Sequence, residues 1–287
     1  MSNYIICTDS SSDLPKSLLS EWGVLSRPLT FRFTDSTADM TNDSMDISEF
    51  YAKMRAGGVA KTAAVNSESF IAMFEGPLSE GNDVLYLGFS SGLSTTFNSA
   101  RIASLELKDR YPDRKIVVVD MLCASLGGGL LVKMIVDKKA AGASIEEAAK
   151  YAEDIKLNVC HWFTVDDLVY LKRGGRVSST AAFVGNMLGI KPVMHVDNDG
   201  HLVNVQKVRG RKTAIATLAD KYGELHLEGD YEVFISHGDC IADAQQLADI
   251  IETKYGKKTT LISDVGPVIG AHSGPGTLAL FFIGRER

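Results

Sequence analysis

Four polar turns hold the residues whose types and spacing could do chemistry: "TDSSSD" (8–13), "KTAAVNS" (61–67), "GFSSGLS" (88–94) and "GAHSGPG" (270–276). The third is the most pointed. An apolar run, Val84 to Leu87, stops at Gly88-Phe89-Ser90-Ser91-Gly92, and a helix-like segment follows from about Thr95. This fits G-x-S-x-G, the turn that exposes a hydrolase nucleophile between strand and helix. It equally fits an anion cradle, in which hydroxyls and backbone N–H groups at a helix start share one ligand. Ser90 or Ser91 as nucleophile, with Asp239 or Asp264 and then His272, satisfies the hydrolase order. No HGGG-type oxyanion segment accompanies it, however, and Ser90, Ser91 and Ser94 together suit several hydroxyls around one ligand.

Each of the other turns has a functional and a plain reading. His272, set among Gly270, Gly274, Pro275 and Gly276, can hydrogen-bond a ligand or act as a base. Thr62 offers a hydroxyl. Asp9 and Asp13 have the chemistry of metal ligands, yet strand-end Asp and Ser more often cap the next helix. His237 closes a strand; His161, His195, His201 and His226 read as structural. Two basic stretches, "LKRGGRVSS" (171–179) and "KVRGRKTA" (207–214), interleave glycine with arginine, so a fixed loop can present guanidinium groups to carboxylate or phosphate. No Walker loop and no G-x-G-x-x-G is present, so no nucleotide site is expected.

The whole chain bounds these readings. Its 287 residues can bury a substantial core as one large domain or two medium ones. A formal charge of −6 argues against a broad nucleic-acid surface. The four cysteines, Cys7, Cys123, Cys160 and Cys240, are too scattered for a zinc site or a secreted disulfide framework. The opening residues lack a basic n-region, and no uncharged apolar run reaches membrane-spanning length. A cytoplasmic protein without integral membrane association or metal is expected.

The elements that must position the turns read as follows. "YIICTDS" is a strand, and "VLSRPLTFRF" alternates like one. Asp46 with Glu49 caps a helix ending at Gly57-Gly58, Ser67 caps the next, and Ser144 with Glu147 forms a capping box. "KIVVVD" is a buried strand. Strands alternating with helices imply a largely parallel sheet. From about residue 159 the texture becomes mixed α+β, with "VCHWFTV" a strand, "DDLVYLKRGGR" a short helix, and a hairpin around Asn198-Asp199-Gly200. The expected architecture is two α/β domains, 1–158 and 159–287, the first with a mostly parallel sheet and the second mixed. A ligand tunnel is expected between them.

Taken together, "TDSSSDLP", "GFSSGLSTTFNSA", "LKRGGRVS" with "GIKPV", "KVRGRKTA" and "GPVIGAHSGPGTLAL" resemble, in order, the motifs of the bacterial DegV family. The resemblance spans nearly the whole chain and implies a fatty-acid-binding protein, not an enzyme, with no cofactor. It implies a long-chain acyl group in an apolar tunnel between the domains. The carboxylate would be held by Thr62 and a serine of the 90–94 turn, Ser91 or Ser94, within a network including His272. Arg173, Arg176 and Gly274 would support the site. Arg209 or Arg211 would meet a separate ATP-binding fatty acid kinase subunit, which makes the acyl phosphate. The family usually reads "TSQPS" where this chain has Thr62-Ala63-Ala64-Val65-Asn66: the threonine is kept and the hydroxyl, amide and proline after it are replaced. Each buried methylene contributes about 0.8 kcal/mol, so a fitted apolar tunnel suffices for strong binding. "STAAFVGNMLGIKPVM" (179–194) has the small and flexible apolar residues to line it, or is ordinary core.

Overall fold

The computed structural model of the chain describes residues 3–177 and 189–287. Of the stretch 179–194 expected at the tunnel, residues 179–188 lie outside the described residues.

Strands β1 (Tyr4–Asp9), β2 (Leu25–Arg27), β5 (Asp83–Gly88) and β6 (Ile116–Asp120) form a sheet in the order β2-β1-β5-β6, parallel throughout. Every residue of β5 is buried, as a strand covered on both faces by helices must be. Strands β3 (Thr30–Phe33) and β4 (Ala60–Ala63) form a separate antiparallel pair, because Pro28 separates "VLSRPLTFRF" into β2 and β3. The second sheet is mixed. It contains β7 (Val159–Thr164), β8 (Ile190–Val196), β9 (Leu202–Arg209), β10 (Phe234–His237), β11 (Leu261–Asp264) and β12 (Leu278–Ile283), in the order β11-β10-β12-β7-β8-β9. Only β10 and β11 run parallel. The hairpin falls at β8–β9, with the positive φ of 79° at Gly200.

Local chemistry explains most element boundaries. Asp46 accepts from Ser48 N and Glu49 N at the start of the helix Ile47–Arg55. Ser144 and Glu147 complete a capping box on the helix Ile145–Ile155. The helix Ser67–Ser79 is capped instead by Asn66, whose side-chain oxygen accepts from Ser69 N; Ser67 is its first turn. Three further expectations are corrected. Thr62 is not in a turn but on β4, paired with Phe31. His272 lies in the last turn of a helix, Pro267–Ser273, begun by a proline that needs no N–H partner there. The buried run "LALFFI", not singled out above as a strand, is β12, lying between β10 and β7.

One apolar cluster runs from Leu85 and Leu87 of β5, through Leu130 and Leu131 of the helix Leu126–Ala140, to Phe163 of β7 and Phe281 of β12. The two sheets therefore share a core. Polar ties reinforce it: the Tyr51 hydroxyl donates to Val265 O (2.7 Å), and Ser90 Oγ donates to Gly200 O (2.9 Å). Asn42 donates to Ser10 O (3.2 Å) and accepts from Val268 N (3.0 Å).

The turn after β5 is set by a buried carboxylate. Asp9 Oδ1 accepts from Ser11 N (3.0 Å) and Ser11 Oγ (2.5 Å), while Oδ2 accepts from the Tyr86 hydroxyl (2.6 Å) and Phe89 N (3.1 Å). Burial raises its pKa and these four donors oppose the rise. Asp9→Asn would turn an amide NH₂ toward donors on one side. A loss of about 2–4 kcal/mol in urea unfolding is expected; a change below about 0.5 kcal/mol would show that the carboxylate does not set this turn.

Candidate functional site

A cavity of about 510 Å³ lies between the sheets, within the size range of small-molecule sites. Its floor is the inner face of the second sheet. There Ser236, Ala279 and Phe163 sit side by side on β10, β12 and β7, with Phe281 and His161 in the row beside them. Leu29, Phe89 and Ala124 face it from the N-terminal half, and Val268, Ile269 and His272 come from the helix Pro267–Ser273.

The polar part of the wall is a connected group. Thr62 Oγ1 lies 2.8 Å from His272 Nε2. The other imidazole nitrogen, Nδ1, is buried without a hydrogen-bond partner among the described residues. It abuts Gly174, where an added Cβ would stand 2.1 Å from Nδ1. Arg176 then ties this corner to the serine turn. Its Nη1 donates to Gly174 O, and Nε and Nη2 donate to Leu93 O at 3.2 and 3.0 Å. Ser91, Ser94, Thr62, His272 and Arg176 all line the cavity.

Charge and tautomer follow from this geometry. Burial, aided by the Arg176 charge, lowers the His272 pKa to about 4, so the ring is neutral at pH 7. A buried N–H without an acceptor is costly, so the single proton belongs on Nε2, facing Thr62. The Thr62 hydroxyl accepts that proton's bond and directs its own hydrogen elsewhere. Thr62 is therefore a polarised donor at the cavity wall.

The serines divide their roles. Ser90 is fully buried, donates to Gly200 O, and accepts from Gly92 N (3.2 Å). Ser94 Oγ accepts from Thr96 N (3.2 Å) and shares a hydrogen bond with Thr96 Oγ1 (2.9 Å), which ties the turn to the first residue of the helix Thr96–Arg110. Ser91, exposed at the turn's tip, gives its backbone N–H to Asp120 (3.2 Å). The hydrolase arrangement does not assemble: His272 meets Thr62, Asp264 lies beside His237 (3.5 Å), and Asp239 pairs with Arg55. The strained strand-to-helix turn of the kind hydrolases use belongs instead to Ser125, after β6, at φ 52° and ψ −149°. Its hydroxyl lies against Asp13 (2.6 Å) and Ser236 (3.1 Å) rather than against an imidazole.

The remaining expected residues lie outside the lining. Arg173 is exposed and stacks over Tyr170 (5.7 Å). Gly274, at φ 82°, leaves no room for a side chain because its Cβ would meet the Tyr170 ring at 2.3 Å. Arg209 is exposed on β9, and Arg211 pairs with Asp243 (2.8 Å) at the start of the helix Arg211–Leu225. His161, read as structural, is nonetheless part of the cavity wall. Its Nε2 accepts from Ala124 N (3.3 Å), so Nδ1 donates to Val159 O (2.9 Å), and burial holds the ring neutral. The glycine run 127–129 was the available signal, since a Cβ on Gly127 would strike His161 Nε2 at 2.1 Å. Asp197, Asp199 and His201 cluster at the hairpin tip, but Asp197 Oδ1 already accepts from Asp199 N and His201 N at 3.0 and 2.8 Å.

Comparisons with known proteins agree with this architecture. The chain is 42% identical, over its whole length, to a DegV domain-containing protein of Clostridium perfringens, of which it covers 99%. It is 36% identical to a fatty acid-binding protein of Thermotoga maritima, with 95% of each chain covered. Among solved structures, a DegV lipid-binding protein of Thermotoga maritima superposes with a TM-score of 0.84 at 32% identity, over 99% of both chains. A fatty-acid-binding DegV family protein of Thermus thermophilus gives 0.86 at 27% identity, over 98% of this chain and 99% of the other. The profile of the family described as uncharacterised protein, DegV family, matches residues 4–285, and the chain belongs to the DegV family.

Proposed function

We propose that this protein binds a long-chain fatty acid in the cavity between its sheets and presents the carboxylate to a separate ATP-dependent kinase subunit that makes the acyl phosphate. The observation that carries the reading is the Thr62–His272 pair at the wall of a mainly apolar cavity. A carboxylate taken out of water needs several donors, or it protonates or leaves. The polarised Thr62 hydroxyl, the Ser91 hydroxyl and the half-buried Arg176 supply them, and Ser94 stiffens the turn that offers Ser91. Fatty acid binding by relatives in Thermus thermophilus and Thermotoga maritima supports the ligand class. The kinase partner follows from the family resemblance of "KVRGRKTA", where Arg209 and Arg211 would make contact.

The replaced "TSQPS" segment bears on the same reading. Ala63 follows Thr62 on β4, and Ala64 lines the cavity, so the headgroup here has fewer side-chain donors than the family pattern provides. Asn66 retains a structural task as a helix cap.

Native mass spectrometry of the purified protein, followed by lipid extraction, tests the ligand. A stoichiometric fatty acid is expected, with affinity falling about tenfold or more in Thr62→Ala and in Ser91→Ala, one to two charge-assisted bonds being lost. Ser94→Ala should weaken binding less. A chain that copurifies with no fatty acid and takes up none when offered sinks the proposal. Adding a fatty acid kinase ATP-binding subunit should give acyl phosphate, and charge reversal at Arg209 and Arg211 should abolish it while fatty acid binding persists.

The neutral imidazole gives a second expectation. His272 binds a proton less readily folded, at about 4, than unfolded near 6.5, so the unfolded chain takes up more protons between those values. Its contribution to stability is complete above about pH 6.5 and is lost as pH falls toward 4, by roughly 3 kcal/mol at most. Urea unfolding of wild type and His272→Gln across this window should show a difference that narrows on acidification. A constant difference would mean that His272 is not held neutral.

A further inference from the structure

Backbone strain in this chain is concentrated where its two halves meet. Four non-glycine residues among those described have positive φ: Asp13 (51°), Leu122 (52°), Ser125 (52°) and Asp239 (56°). Such conformations persist only where the surroundings enforce them, and they cluster at switching elements. Asp239 pairs with Arg55 across the halves. Leu122 packs against Gly200 of the second half, and Asp13 and Ser125 meet at one buried carboxylate. Asp13 Oδ2 accepts from Ser125 Oγ (2.6 Å), and Oδ1 accepts from Gly266 N (3.1 Å). Ser125 begins the helix Leu126–Ala140, and Gly266 begins the helix that carries His272. Ser125 Oγ is also 3.1 Å from Ser236 Oγ on the cavity floor. A Cβ on Gly266 would stand 2.7 Å from Asp13 Oδ1, so the contact is a close one.

Both halves line the cavity, so how tightly they fit together sets how readily an acyl chain is exchanged. We propose, on the reading that the cavity holds a fatty acid, that Asp13 is a proton-linked latch: the halves close on it with uptake of a proton and loosen, exchanging the fatty acid, when that proton leaves. The hydrogen bonds allow both states. With Asp13 ionised, Ser125 donates to it and Ser236 donates to Ser125. With Asp13 protonated, the acid can donate to Ser125 Oγ and Ser125 to Ser236, while Gly266 N keeps the carbonyl oxygen. In the protonated arrangement the Ser236 hydroxyl hydrogen is freed to face the cavity that Ser236 lines.

The electrostatics set the direction. Burial pushes the Asp13 pKa up to about 7, and the Asp264 and Asp9 charges push the same way, against the Ser125 and Gly266 bonds. Opened to water, the group would return to about 3.9. The closed state thus binds more protons between about pH 4 and 7, and closure weakens as pH rises through that window. Other groups around the junction do not reverse this. His237, 3.5 Å from Asp264, is held toward neutrality by burial. The Tyr51 phenol is raised well above its usual range, and Lys16 is paired with Asp43 (3.0 Å) at the rim. Asp239 is paired with Arg55.

The experiment is stopped-flow release of cis-parinaric acid from the full chain to albumin at pH values from about 5.5 to 8, for wild type and Asp13→Asn. The wild-type off-rate should rise about tenfold or more across the range, one pKa unit being a factor of ten. The asparagine variant should keep the slow rate throughout, and any titration of the probe itself affects both proteins alike. Identical pH profiles in the two proteins overturn the latch. Should the variant fold poorly, ¹³C NMR of the wild-type Asp carboxyls decides: an Asp13 midpoint near 7 in the loaded protein supports the proposal, and one near 4 overturns it. A chain that binds no probe at any pH overturns the ligand reading instead, and the NMR midpoint still decides whether the closed junction holds a proton.

Discussion

A carboxylate removed from water must find hydrogen-bond donors, and the architecture of this chain is organised around that requirement. It meets the requirement twice with its own residues. Asp9 is held by two hydroxyls and two backbone N–H groups, and Asp13 by one hydroxyl and one backbone N–H. Neither has a lysine or arginine among those donors. Small dipoles at strand ends and helix starts do the work that a full positive charge does elsewhere. Thr62 and the turn after β5 offer the same kind of donors at the cavity wall, where the one cation among the described lining residues, Arg176, has three of its N–H groups directed at backbone carbonyls. A carboxyl group gripped by dipoles is neutralised less completely than one in an ion pair.

The cavity exists because two differently wound sheets cannot close on each other completely. The parallel sheet ends in polar turns at its carboxyl edge, as open α/β sheets do. The mixed sheet presents a largely apolar face from β7, β10 and β12, with Ser236 and His161 set into it. The helix Pro267–Ser273 wedges between them, fixed at its start by Asn42 and Asp13 and at its end by Thr62 through His272. The same helix therefore joins the Asp13 junction to the Thr62–His272 pair at the cavity wall. Its seven residues are too few to be stable alone, so its position is dictated by those side chains and by Val268 and Ala271 in the aromatic core of the N-terminal half.

Local signals in the sequence were accurate where the structure is local. The capping box at Ser144 and Glu147, the Asp46 cap, the apolar run of β6 and the hairpin at Gly200 all depend on residues a few positions apart. The α/β architecture with one parallel and one mixed sheet followed from the same signals. What stayed hidden was pairing at long range. Thr62 and His272 stand 210 residues apart, and only the family resemblance, not the local sequence at either position, brings them together. Ser125 was not singled out by its sequence; its strained φ depends on Asp13 and Ser236, which lie more than a hundred positions away. The Gly/Ser pattern at 88–92 fitted both a nucleophile and a cradle because spacing alone does not show that Ser90 gives its hydrogen to a carbonyl in the other half.

The placement of β12 affects how the chain is made. It follows every other strand of its sheet in sequence, yet it sits between β10 and β7 and bonds to both. During synthesis the five earlier strands form only two separate ribbons, β11-β10 and β7-β8-β9, each with an unpaired edge where β12 will insert. Exposed apolar edges of this kind recruit other chains. The second half of the protein is thus committed to folding after translation of its final strand, and the nascent chain is most vulnerable to aggregation just before that strand leaves the ribosome.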